Sequence, residues 1–226
     1  MNTPFQIAVF DLDGTLLNTL DDLTDAVNIA LANAGFPART REEVRTFVGN
    51  GVELLMRRAV PAATAEADIL ACFSDFKATY ARICRRKTAP YPGILPLLDE
   101  LRTRGVRIAV VSNKFDAAVK ELCAHYFGSH VEVAVGEREA DGVRKKPAPD
   151  TVFEALRLLN AGGHASSPAR AVYIGDSDVD IDTARNAALP CLSVTWGFRD
   201  ESFLLTHGAT TLVHTTEELL TILTND

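Results

Sequence analysis

The chain begins with a short unbroken run of apolar residues, Ile7-Ala8-Val9-Phe10, which stops at Asp11-Leu12-Asp13-Gly14-Thr15. Such a run reads as a strand buried on both faces. Past Thr15 the period changes. Leu20, Leu23, Val27 and Leu31 recur at helical spacing, with Asp21, Asp22 and Asp25 in the first turns, where the helix dipole favours anions. Gly35 and Pro37 close that helix. Thr40 and Glu43 have capping-box spacing and open a second one. Gly49-Asn50-Gly51 is a turn that feeds a third, and a further helical stretch covers 65 to 85. No strand signal falls between Thr15 and Pro90.

Pro90-Tyr91-Pro92-Gly93 is a stiff breaker. Beyond it the texture alternates. Helices are expected over 94–104, 116–123, from Pro149-Asp150 to near Gly162-Gly163, 179–188 and 216–223. Strands are expected over 106–111, 131–135, 171–174, 191–195 and 211–213. Strands alternating with helices predict an α/β fold, a Rossmann-like parallel sheet with helices on both faces. The helical block interrupts it just after the first strand. The expected division is a core domain of 1–14 and 91–226 with an inserted helical cap domain of 15–90.

Composition adds limits. The 226 residues carry a net charge of −7, so no basic footprint for nucleic acid or an acidic membrane surface is present. Cys72, Cys84, Cys123 and Cys191 form no Cys-x-x-Cys pair and read as small buried apolar residues. No apolar run approaches the ~18 residues of a membrane span, and the expected location is cytoplasmic. Oligomeric state is not legible.

The unusual polar residues fall at strand ends, where parallel α/β sheets bind ligands. Asp11 and Asp13 follow the first strand and leave an extended chain on the same side. Ser112 follows the second strand, Lys146 the third after a loop, and Asp176 and Asp180 the fourth. Four carboxylates gathered within ~6 Å repel one another unless a cation sits among them. An all-oxygen set without His or Cys suits a hard ion, Mg²⁺ before Zn²⁺, which is commonly completed by a substrate phosphate. Lys146 and Ser112 offer a positive charge and a hydroxyl to the remaining phosphate oxygens. Asp11 can attack phosphorus without a separate base, and Asp13 can protonate the leaving oxygen and then deprotonate water. The expected partner is therefore a small-molecule phosphate ester.

Asp11-Leu12-Asp13-Gly14-Thr15-Leu16, Val111-Ser112-Asn113, Lys146-Pro147 and Gly175-Asp176-Ser177-Asp178-Val179-Asp180 resemble, in order, the four motifs of the haloacid-dehalogenase-like phosphatases. The resemblance implies Asp11 as nucleophile and Asp13 as general acid and base. It implies Ser112, Asn113 and Lys146 at the phosphate, with Lys146 chosen over Lys145 by the motif alone. It implies Mg²⁺ on Asp11, the Asp13 carbonyl and Asp176, with Asp180 assisting or orienting Lys146. Asn18-Thr19-Leu20-Asp21-Asp22-Leu23, Val48-Gly49-Asn50-Gly51, Tyr91-Pro92-Gly93 and Thr195-Trp196-Gly197-Phe198 are most similar to the phosphoglycolate phosphatases of that family, which implies 2-phosphoglycolate as substrate. Pyrophosphate, nucleoside monophosphates and sugar phosphates stay open, as does a sugar-phosphate mutase, although those relatives usually carry a cap histidine that residues 15–90 lack.

Gly49 and Asn50 are candidate substrate residues, since a helix N-terminus behind glycines accepts an anion such as a carboxylate; a plain helix-entry turn is the other reading. Arg45, Arg57 and Arg58 either reach a substrate carboxylate or form a solvated helix face. The five histidines are expected at the surface. Asp176 to Asp180 begins like a Ca²⁺ loop, but Ile181 and Ala187 stand where that loop needs Gly and Glu.

Overall fold

A computed structural model describes residues 4–161 and 170–225, apart from the side chain of Ala161. The helix end expected near Gly162-Gly163, and His164, lie outside the described residues. The chain divides into two compact units, one of residues up to 17 together with 90 onward, the other of 18–89.

In the larger unit, β1 is Ile7–Phe10. The chain leaves it through β2 (Leu17–Asn18) and returns through β3 (Ala89–Pro90), which pair with each other. These two-residue strands did not register in the sequence, because two residues cannot show a period. Then follow α5 (Ile94–Thr103), β4 (Arg107–Phe115), α6 (Asp116–Tyr126), β5 (Val133–Glu137), α7 (Asp150–Ala161), β6 (Ala171–Gly175) and α8 (Asp178–Asn186). The unit ends with β7 (Cys191–Val194), α9 (Glu201–Thr206), β8 (Leu212–Val213) and α10 (Thr216–Thr224). Numbers α1 to α4 belong to the smaller unit. Helix α9 was not expected. Its signal was Asp200, whose carboxylate caps the Phe203 N–H at 2.8 Å.

The six-stranded sheet runs β5-β4-β1-β6-β7-β8, with every strand parallel to its neighbours. β1 is central, and Phe10 pairs with both Val110 and Ile174. Its four residues are all fully buried, as a strand covered on both faces must be. Alternation sends Ile7, Val9, Ala109, Val111, Ala171 and Tyr173 to one face, where Val152, Ala155 and Leu159 of α7 and Ala184 of α8 meet them. Ala8, Phe10, Val110 and Val172 point to the other face and are equally buried. The helices flank the sheet, and the carboxyl ends of its central strands form one rim.

The smaller unit packs α1 (Leu20–Asn33), α2 (Arg41–Phe47), α3 (Val52–Ala59) and α4 (Glu66–Ile83) around Leu23, Val27, Leu31, Leu55 and Phe76. The Thr40–Glu43 capping box forms in both directions. Asp22 does more than complement the α1 dipole. It is fully buried and accepts from the Lys87 and Thr88 N–H groups and the Thr88 hydroxyl, tying the start of α1 to the residues after α4.

Candidate active site

Asp11 sits one residue past β1, and its N–H still donates to Ile174 O on β6. That bond extends the ladder and fixes the backbone from which the carboxylate projects. Asp176 follows β6, and Asp180 lies in the first turn of α8. The carboxylates of Asp11, Asp176 and Asp180 bring one oxygen each within 4.8 Å of one another, and all three residues are buried. Lys146 reaches them from the loop after β5. Its Nζ donates to Asp11 Oδ1 at 2.6 Å, Asp180 Oδ1 at 2.8 Å and the Tyr173 hydroxyl at 3.1 Å. Three separate stretches of the chain, at residue 11, residue 146 and residues 176 to 180, thus converge on one point of the rim.

The charges do not balance within this set, since three carboxylates face one ammonium. Burial pushes the Asp11 carboxyl well above its ordinary range; Lys146 pulls it back, and Asp180 and Asp176 push it further up. Burial and the charge of Asp180 push Asp176 up to about 7. Burial works against the Lys146 ammonium, but Asp11 and Asp180 outweigh it and hold the group charged. A buried all-oxygen cluster short of positive charge fits a hard divalent cation. Asp11, Asp176 and Asp180 are the residues that could hold it.

Asp180 is also hydrogen-bonded through both oxygens. Its Oδ1 accepts from Lys146 and from the Tyr173 hydroxyl at 2.8 Å, and its Oδ2 accepts from the Ser177 hydroxyl at 2.6 Å and the Ser177 N–H at 3.2 Å. It is thus in direct contact with Lys146. Asp176 is held by the Thr15 hydroxyl on Oδ1 at 3.1 Å and the Phe198 N–H on Oδ2 at 2.7 Å. The Trp196 indole in turn donates to Thr15 O at 3.0 Å. A Cβ at Gly14 or Gly197 would clash with the Asp176 side chain, which would have to shift to admit it. Thr15, Tyr173, Trp196 and Phe198 were not singled out as site residues. The Gly14-Thr15 and Trp196-Gly197-Phe198 motifs contained the signal, but nothing local ties them to Asp176.

The remaining predicted residues fall as follows. Ser112 Oγ lies 3.3 Å from Asp13 Oδ2. The Asn113 side chain pairs twice with the backbone of Lys146, accepting from its N–H at 2.7 Å and donating to its carbonyl at 2.9 Å. It thereby seats the lysine. Lys145 pairs instead with Glu139 at 3.3 Å, with a side chain 41% exposed. Asp13 contacts Ser112 and Lys114, and it lies outside the group of three carboxylates that could share an ion. In the smaller unit Gly49 and Gly51 have φ of 126° and 93°, which requires glycine, and Arg58 donates to Phe47 O and Asn50 Oδ1, bracing the turn before α3. Arg57 is taken up by Glu53 and Glu66 on an exposed face, and Arg45 pairs with Glu42. No helix among the described residues is long and apolar enough to cross a membrane.

Residues 8–194 match the family model of haloacid dehalogenase-like hydrolases, and the chain belongs to that family. It is similar to the phosphoglycolate phosphatase of Caulobacter vibrioides, 34% identical over 209 residues that cover 91% of this chain and 85% of the relative. A plasmid-encoded phosphoglycolate phosphatase of Cupriavidus necator is 33% identical over 99% of this chain and 95% of its own. Among solved structures, a candidate phosphoglycolate phosphatase of Lactobacillus delbrueckii subsp. bulgaricus superposes with a TM-score of 0.91 at 37% identity, covering 98% of this chain and 99% of the other. This chain is accordingly an enzyme, a phosphoric monoester hydrolase similar to phosphoglycolate phosphatases.

Proposed function

We propose that the chain is a Mg²⁺-dependent phosphomonoesterase of small metabolites that works through an aspartyl-phosphate on Asp11, with 2-phosphoglycolate as its substrate. The observation that carries this reading is the buried cluster of Asp11, Asp176 and Asp180 with Lys146 threaded through it. In the first half-reaction an Asp11 oxygen bonds to phosphorus as the ester P–O bond breaks, and Asp13 gives its proton to the departing oxygen. In the second, Asp13 takes a proton from water as the water oxygen bonds to phosphorus and the Asp11–phosphorus bond breaks. Mg²⁺, when bound, neutralises phosphate charge. Lys146 and Ser112 bind the phosphoryl oxygens, and Asn113 and Asp180 keep Lys146 in place. The smaller unit is the cap, with its boundaries where the chain enters and leaves residues 18–89.

The substrate rests on similarity to phosphoglycolate phosphatases and on the Gly49-Asn50 turn, whose braced glycines and helix N-terminus suit a carboxylate. A panel of phosphate esters assayed with Mg²⁺ and with EDTA tests both parts. Hydrolysis of 2-phosphoglycolate that vanishes in EDTA and in Asp11→Asn is expected. Activity that survives either change overturns the mechanism. Turnover of hexose phosphates with none on phosphoglycolate overturns only the substrate.

A further inference from the structure

The larger unit buries a second ammonium that none of the four motifs accounts for. Lys114 is 3% exposed, and its Nζ lies 2.9 Å from Asp13 Oδ1. Its own N–H donates to Ser112 Oγ at 3.1 Å, and Ser112 Oγ reaches Asp13 Oδ2 at 3.3 Å. Both oxygens of Asp13 are therefore gripped from the end of β4. This arrangement exists because β4 does not stop at Ser112. It continues to Phe115, which pairs with Glu137 on β5, and the lysine two residues past Ser112 comes to the same carboxylate. Packing does not explain a lysine here. Taking an ammonium out of water is costly unless it is well paired, and an apolar side chain of that length would fill the space without this cost.

We propose that Lys114 is the positioning residue for Asp13 in proton transfer, an inference that rests on the phosphomonoesterase reading above. A phosphate oxygen that takes the Ser112 hydroxyl draws it away from Asp13 Oδ2. The Lys114 contact to Oδ1 does not depend on phosphate, so it keeps the carboxyl from rotating while Oδ2 works. Oδ2 first passes its proton to the ester oxygen as the P–O bond breaks and the Asp11–phosphorus bond forms. From the same position it then removes a proton from the water that displaces Asp11 from phosphorus. One carboxyl serving two successive transfers needs an anchor that neither step uses up.

The test compares wild type, Lys114→Met, Asp13→Asn and the double variant, each saturated with Mg²⁺, on an alkyl phosphate that wild type turns over. Lys114→Met keeps length and removes charge. It is expected to lower kcat about 10–100-fold, the scale of a ~1 Å misplacement, with KM within about threefold. First-turnover release of p-nitrophenolate from p-nitrophenyl phosphate, whose leaving group needs no acid, should stay within about threefold of wild type. In the Asp13→Asn background the lysine change should cost less than about twofold in kcat, because its target is gone. If Lys114→Met does not fold, the double variant, which removes both charges together, decides by the same comparison with Asp13→Asn. An equal fractional loss in both backgrounds, a loss confined to KM, or an equal loss of the p-nitrophenolate burst overturns the role of Lys114. A wild type inactive on every ester overturns the phosphomonoesterase reading, and this inference with it. An active wild type with additive variants overturns this inference alone.

Discussion

Lys146→Met probes the electrostatic balance of the site directly. The ammonium lies 2.6 Å from one buried carboxylate and 2.8 Å from another. At an effective dielectric constant of about 20, each pair attracts by about 6 kcal/mol before desolvation is counted. Removing one partner from a buried pair has a net cost of about 3–5 kcal/mol, because the charge left behind is neither solvated nor matched. Lys146→Met leaves three buried carboxylates with no cation from this lysine. It should therefore lower the unfolding free energy by about 3–5 kcal/mol in EDTA at pH 8, read from guanidinium unfolding with fluorescence and circular dichroism. The loss should shrink as pH falls, because burial has already raised Asp11 and its protonated form is cheaper to bury. Asp180→Asn added to Lys146→Met removes one orphaned charge and should restore about 2 kcal/mol. Activity should not return with stability, since the cation proposed to bind the phosphoryl group is still missing. A Lys146→Met protein within about 1 kcal/mol of wild type at pH 8 would refute the claim that this lysine balances the cluster.

Two further outcomes follow from particular contacts. Gly197→Ala places a methyl group where the Asp176 carboxyl stands, so the carboxylate must move; Mg²⁺ titrations followed by thermal shift should show affinity weakened about tenfold or more, and an unchanged titration would detach Gly197 from the metal site. His130 is raised above its ordinary value by its bond to Asp99, at 2.6 Å, and by the Phe127 carbonyl. A raised folded-state value stabilises fully below the unfolded value of ~6.5 and fades as pH climbs through the folded one. The Tm gap between wild type and His130→Gln should therefore be widest near pH 5.5 and narrow by pH 9; a gap that widens with pH would reverse the assignment.

Much of this molecule was legible one residue at a time. The apolar run of β1, the 3.6-residue period of α1, the capping box at Thr40 and the strand–helix alternation after Gly93 are local patterns, and each appears where local physics puts it. The convergence on one rim was legible because parallel sheets gather the residues after their strands at one edge, so Asp11, Ser112, Lys146 and Asp176 could be placed there before any distance was known. What local pattern could not reach was pairing across the sheet. Whether β4 ends at Ser112 or runs on to Phe115 depends on hydrogen bonds to β5, more than twenty residues further along, and only the longer strand brings Lys114 to Asp13. The choice of Lys146 over Lys145 needed a motif, because two adjacent lysines are equivalent until a backbone clamp from Asn113 seats one of them. Asp176 was named from its motif, but the partners of its two oxygens, Thr15 and Phe198, 161 and 22 residues away, were not. Residue types and periods are properties of neighbours in the chain and can be read from it. Which oxygen faces which proton depends on neighbours in space, and that was decided only when the strands lay side by side.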